Sequence, residues 1–213
     1  MAERQPSASL TTRYLITYNT LSTLLWSFLL IRTLLLLPLV GPTNLYPSLG
    51  SPTKWIQSLA VLEILHLLLG LLRSSLPTTI IQVSSRLLLV WGICDIFSAP
   101  QQSNAYASMV FAWAVTEVCR YSYYIVQLGG GESKTLSWLR YNTFFVLYPL
   151  GAGSEAWCIY RALPEAWRLS RGYYWFLVVI LVTYLPGLFN QYTHMMRQRR
   201  KNMRGKKKAQ VVG

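Results

Sequence analysis

Leu15-Ile-Thr-Tyr-Asn-Thr-Leu-Ser-Thr-Leu-Leu-Trp-Ser-Phe-Leu-Leu-Ile-Arg-Thr-Leu-Leu-Leu-Leu37 is the stretch that decides the fold. It carries one charge, Arg32, in a run longer than the roughly 20 apolar residues that a bilayer-crossing helix needs. The run is too long for the apolar region of a secretory signal, and no small-x-small cleavage site follows it, so it is expected to stay as a span. Five further apolar runs lie at 55–72, 78–97, 105–128, 141–163 and 172–192. Breakers separate them: four prolines in 38–52, a tight turn at 74–77, the segment 100–104, three glycines at 129–131, and 164–171. The expected architecture is all-α, a polytopic membrane bundle of six transmembrane helices in residues 1–196, with 197–213 as a basic cytosolic tail.

Composition agrees with a membrane protein. The chain is 53% hydrophobic and 13% charged, about half the charged share of an ordinary globular domain, which excludes a soluble fold. Its net charge of +13 is mostly a tail, because eight basic residues fall between Arg197 and Lys208. Directly after an apolar span, such a tail points to the cytosolic face and its anionic lipids rather than to nucleic acid. An even number of spans puts both termini on one side, where thirteen Lys and Arg residues then lie against four opposite, so both ends are expected to be cytosolic. Cys94, Cys119 and Cys158 all sit in apolar runs and read as reduced packing residues.

Four of the seven acidic residues, Glu63, Asp95, Glu117 and Glu155, fall inside these runs. An ionisable group there costs about 2.5–3.5 kcal/mol on insertion scales, so each is expected to face the bundle interior. Glu63 and His66 are three residues apart, as are Glu117 and Arg120, and each pair shares a helix face. Glu117 and Arg120 read as a pair that neutralises itself and fixes packing, so losing one charge should do more harm than losing both. His66 reads as a hydrogen-bonded interior residue. With two histidines and no cluster at ligand spacing, no metal is expected.

The most informative span reads Tyr141-Asn-Thr-Phe-Phe-Val-Leu-Tyr148-Pro149-Leu-Gly151-Ala-Gly153-Ser-Glu155. Tyr148 and Glu155 are seven apart, within about 20° of two full helical turns, so both look the same way with roughly 10 Å between them along the axis. Pro149 should kink the helix, and Gly151 and Gly153 allow a neighbouring helix or a substrate to come close. Two readings stay open: a kinked packing helix with one stray carboxyl, or a functional site. A cysteine phosphatase is excluded, because the residues six after the cysteines are Pro100, Ile125 and Pro164 rather than arginine. The stretch from His66 to Arg73 has that spacing but holds Leu67 where a thiol would stand. There is no nucleophile elbow, phosphate loop or dinucleotide fingerprint.

Four segments in order carry a resemblance: Leu62-Glu63-x-x-His66; Gln82-Val-Ser-Ser-Arg86; Thr116-Glu117-Val-Cys-Arg120-Tyr121; and Tyr141-Asn142 through Leu147-Tyr148-Pro149-Leu-Gly151-x-x-x-Glu155. The chain resembles the very-long-chain (3R)-3-hydroxyacyl-CoA dehydratases, also called protein tyrosine phosphatase-like proteins, from about residue 14 to 192. That resemblance implies a six-span enzyme of the endoplasmic reticulum membrane acting in the third step of fatty-acid elongation. The reaction removes water from a very-long-chain 3-hydroxyacyl-CoA to give the trans-2-enoyl-CoA. It implies Tyr148 and Glu155 as catalytic residues, with Arg86, Glu117, Arg120, Tyr121, Tyr141, Asn142 and Gly151 supporting or binding substrate. The implied partners are the bilayer and the elongase, 3-ketoacyl-CoA reductase and enoyl-CoA reductase of the cycle, without cofactor, metal or nucleic acid. The final residues 210–213 depart from the dilysine retrieval signal of some members.

The chemistry suits these residues. Elimination needs a base at C2, an acid at the C3 hydroxyl and donors for the thioester oxygen. Tyr148 and Glu155 can fill the first two roles in either order, with Arg86 or Arg120 expected beside the phenol. If the span starts at Tyr141 on the cytosolic side, Tyr148 lies about 10 Å and Glu155 about 20 Å along it. The CoA group would then meet Arg73, Lys134, Arg140 and the tail. An inactive lipid-binding scaffold, or a small transporter using Glu63, Glu117 and Arg86, are the alternatives.

Overall fold

A computed structural model describes residues 9–72 and 74–211, and among them every regular element is helical. The first helix, α1 (Leu10–Val40), contains the first span whole and is capped by Ser9, whose hydroxyl accepts from the Thr12 amide. Its polar side chains turn inward and satisfy themselves locally: Asn19 Nδ2 and Thr33 Oγ1 donate to carbonyls four residues back, at 2.6 and 2.7 Å. Leu21, Leu24, Phe28, Ile31 and Leu35 face outward. Polar inside and apolar outside is the inverse of a soluble helix and suits contact with lipid.

The run at 55–72 departs from the expected single helix. It is split into α2 (Tyr46–Ser58) and α3 (Val61–Leu68) by a turn at Leu59 and Ala60, and α2 reaches back into the proline-rich segment that sequence reading makes a loop. Pro47 is tolerated because it stands in the first turn, where its missing N–H has no helical acceptor. Leu49, Thr53, Ile56 and Gln57 then form the buried stripe. Helix α3 ends at Gly70, whose φ of 69° lets the Leu71 amide reach the His66 carbonyl at 2.8 Å.

Helix α4 (Leu76–Leu87) continues through a π-helical segment, Leu88–Ile93, and stops there. Asp95 therefore lies in the turn beyond the helix rather than in the interior as expected. Its side chain is 36% exposed and pairs with Lys54 at 2.7 Å, with the Tyr46 hydroxyl also donating to it. After the short α5 (Ser98–Gln101), α6 (Asn104–Leu128) matches the expected span and packs against α1 and α8. It ends at the glycine turn, where Gly130 has φ of 75° and the Gly131 amide donates to Val126 O.

Helix α7 (Lys134–Asn142) is separated from α8 (Phe144–Leu169) by a break at Thr143, so the helix expected from residue 141 starts later. Tyr148 and Glu155 lie about 6 and 16 Å from its start. Helix α8 also passes Pro164, replacing the expected loop at 164–171 by Ser170 alone, and α9 runs Arg171–Val211 through the basic tail. Pro164 is exposed, so the carbonyl it leaves free is not enclosed in the core.

Three stretches are long and apolar enough to cross a membrane: Leu10–Val40, Leu76–Ile93 and Arg171–Phe189. The core lies where α1, α6, α8 and α9 pack together, with Trp26, Leu29, Met109, Val110, Trp113, Cys158, Ile159 and Leu177 nearly inaccessible. Cross-links mark the two ends of the bundle. Tyr14 to His66 and Arg140 to Tyr124 lie at one end, while Lys54 to Asp95 and Glu165 to the Ser98 and Ala99 amides lie at the other.

Candidate active site

The centre of the bundle holds two connected polar groups. Arg120 on α6 donates Nε to Glu117 Oε2 at 2.7 Å, as their spacing predicts, and also reaches Glu63 on α3 through Nη1 and Nη2 at 2.9 and 2.6 Å. Arg86 on α4 donates to the other Glu117 oxygen, and the Tyr121 hydroxyl donates to Glu63. Two guanidiniums thus balance two carboxylates from three helices, with Glu63 9% and Glu117 3% exposed. Satisfying every charge inside the bundle is the condition for placing them there. His66 is buried but pairs with Tyr14, whose hydroxyl is 2.8 Å from Nε2, not with Glu63.

Glu155 on α8 is the second group. The Trp113 indole of α6 donates to its Oε1 at 2.7 Å, and the Tyr184 hydroxyl of α9 donates to its Oε2 at 3.0 Å. Trp113 also joins the two groups, since the Arg86 guanidinium stacks over its ring at 4.8 Å. Gly151 lies where α6 and α8 meet, but an added Cβ would make only ordinary contacts, 3.6 Å from that of Ala112 and 4.0 Å from the Trp113 ring, so the close approach does not require a glycine. Ser108 and Ser154, hydrogen-bonded at 2.6 Å, tie the same interface.

Tyr148 is partly buried, two turns before Glu155 on α8, with its ring 6.5 Å from that of Tyr192. Its hydroxyl has no hydrogen-bond partner among the described residues. Arg86 and Arg120, expected beside this phenol, are engaged by the carboxylates Glu117 and Glu63 instead, because opposite charges attract them more strongly than a neutral hydroxyl does. Gly153, two residues before Glu155 and so on the opposite side of α8, has nothing within 4 Å of where a Cβ would stand, and that flank is open.

Other expected residues lie toward the Tyr124 end. Asn142 donates Nδ2 to Trp138 O within α7, and Arg140 stacks on both Tyr123 and Tyr124 at 4.6 and 4.7 Å. Arg73 and the Tyr141 side chain lie outside the described residues. Sequence reading missed Trp113 and Tyr184. Trp113 carried a usable signal, standing four residues before Glu117 on the same face of α6, whereas nothing local marks Tyr184.

Apolar outward-facing helices around an enclosed, charge-balanced centre define this as a helical membrane protein. Residues 57–205 match the family model described as protein tyrosine phosphatase-like protein, PTPLA. The chain is 42% identical over 196 residues to a Schizosaccharomyces pombe protein named probable very-long-chain (3R)-3-hydroxyacyl-CoA dehydratase, covering 89% of this chain and 92% of that one. It is 37% identical over 208 residues to a Caenorhabditis elegans protein named for the same activity, covering 90% and 95%. The human very-long-chain (3R)-3-hydroxyacyl-CoA dehydratase 2 is 35% identical over 206 residues, covering 90% and 81%. No solved structure matches. The chain therefore belongs to the protein tyrosine phosphatase-like family.

Proposed function

We propose that this protein is a carbon–oxygen lyase that removes water from a very-long-chain 3-hydroxyacyl-CoA to give the trans-2-enoyl-CoA, the third step of fatty-acid elongation. The observation that carries the reading is near-full-length similarity, at 35–42% identity, to relatives named for this activity. The site supplies suitable chemistry. Tyr148 and Glu155 share a face of α8, one with a hydroxyl that has no partner among the described residues and the other a held carboxyl. One takes the C2 proton, the C2–H electron pair forms the C2=C3 bond, and the other protonates the departing C3 hydroxyl, which leaves as water.

The proposed architecture has six spans in residues 1–196 in the endoplasmic reticulum membrane, with 197–213 and the N-terminus cytosolic. Helices α6 and α8, at 25 and 26 residues, are about 37–39 Å long, enough to cross. They are less apolar than the other three because they carry the enclosed charges, and α2 with α3 makes the sixth crossing. The acyl chain lies in the bundle beside Tyr148 and Glu155, the CoA group stays near Lys134 and Arg140, and the elongase and the two reductases of the cycle are the partners. Purified protein given a long-chain 3-hydroxyacyl-CoA should form the 2-enoyl product, identified by mass spectrometry. A folded preparation that releases none would remove the assignment.

A further inference from the structure

A glutamate side chain has three rotatable bonds, and the backbone of α8 fixes only where that of Glu155 begins, two turns from Tyr148. Yet both carboxylate oxygens of Glu155 are taken by donors from two other helices, Trp113 Nε1 at 2.7 Å and Tyr184 Oη at 3.0 Å. We infer that Trp113 and Tyr184 are positioning residues that hold the Glu155 carboxylate toward the face it shares with Tyr148. The catalytic consequence rests on the dehydratase reading above; the clamp itself does not.

The clamp is built from side chains and helices that have contacts of their own. Trp113 is 2% exposed, and its indole N–H donates only, so Oε1 has one possible role in this contact. The Arg86 guanidinium over the ring face draws electron density from the indole and makes its N–H a stronger donor. Arg86 is itself fixed by Glu117, so the balanced charge group sets the direction of the indole. From the other side, Tyr184 depends on the register of α9, and Tyr173 pins that helix by donating to the Gly92 carbonyl at 2.7 Å. Proton transfer requires reacting atoms about 3–3.5 Å apart, and displacement by about 1 Å can lower a rate 100-fold.

The test uses full-length protein in detergent. Tyr184→Phe keeps the ring and removes the donor; Trp113→Phe does the same with some loss of volume, so melting temperatures are measured for both. Each variant should lose kcat on the order of 10- to 100-fold with KM within about twofold, the loss expected of misplacement rather than weaker binding. Wild-type kcat in both, or a change in KM alone, would overturn the positioning role. Independently of turnover, the Trp113 indole N–H signal, identified in 15N-tryptophan-labelled protein by its loss in Trp113→Phe, should move in Glu155→Ala. An unmoved signal would overturn the clamp. Absent turnover in the folded wild type would count against the dehydratase reading and leave this signal to decide the clamp.

Discussion

Arg120 grips Glu63 with both terminal guanidinium nitrogens, at 2.9 and 2.6 Å, although 57 residues separate them in the chain. The fork joins α6 to α3, while the third nitrogen holds Glu117 on its own helix. Arg120→Gln therefore leaves Glu63 without a charged partner and Glu117 with Arg86 alone, and breaking a buried pair costs about 3–5 kcal/mol in soluble cores, less where water defects can relieve it. The double variant Glu117→Gln/Arg120→Gln leaves Glu63 and Arg86 without their charged partners, so it should melt no higher than Arg120→Gln alone. Recovery of stability in the double variant would mean that Glu117 and Arg120 act as an isolated pair.

Gly92 provides a second test. A Cβ there would lie 2.8 Å from a Leu88 methyl and 2.9 Å from the Tyr173 hydroxyl. Gly92→Ala should push Tyr173 off the Gly92 carbonyl and loosen α9, at about 1–3 kcal/mol. Thermal unfolding of Gly92→Ala and Tyr173→Phe should show both variants destabilised, the alanine more so. A Gly92→Ala protein as stable as the wild type would show that α9 does not need this contact.

Glu165 gives a pH dependence outside the expected fifth span. Partial burial alone would raise its carboxyl, but the Ser98 and Ala99 amides and the Ser98 hydroxyl donate to it at 2.8–3.0 Å and bring it below its usual 4.5. A depressed folded-state value means that its contribution is full above about pH 4.5 and is lost as pH falls through that lower value. The difference in melting temperature between wild type and Glu165→Gln should hold from pH 7 to about 5 and shrink below 4.5. A difference constant down to pH 3 would contradict this.

Both termini are expected in the cytosol, from thirteen basic residues against four. Glycosylation acceptor sites placed at either end should stay unmodified, and one placed in the 41–45 turn should be modified. Modification of a C-terminal tag would reverse the topology and move the proposed CoA site to the other face.

Much of this was legible in the chain because lipid solvation imposes a simple rule on long apolar runs. α1, α6 and α9 start within a few residues of their expected positions. α2 was hidden because Pro47 and Pro52 resemble loop residues, although Pro47 stands in the first turn, where it removes no helical bond. Asp95 was misplaced because a hydropathy run does not reveal where a π-helical turn ends a helix. In the site, spacing showed Glu117 with Arg120 and Tyr148 with Glu155, since those relations lie within one helix. Glu63 with Arg120, and Tyr184 with Glu155, join different helices and follow only from packing.

The most direct test of the catalytic assignment is turnover of a long-chain 3-hydroxyacyl-CoA by purified wild type, Tyr148→Phe and Glu155→Gln, with melting temperatures taken on the same samples. Each substitution removes one proton-transfer group at nearly constant volume. The wild type should dehydrate the substrate, and both variants should melt as it does while losing turnover by about 100-fold or more. Wild-type turnover in either variant would contradict the role given to that residue.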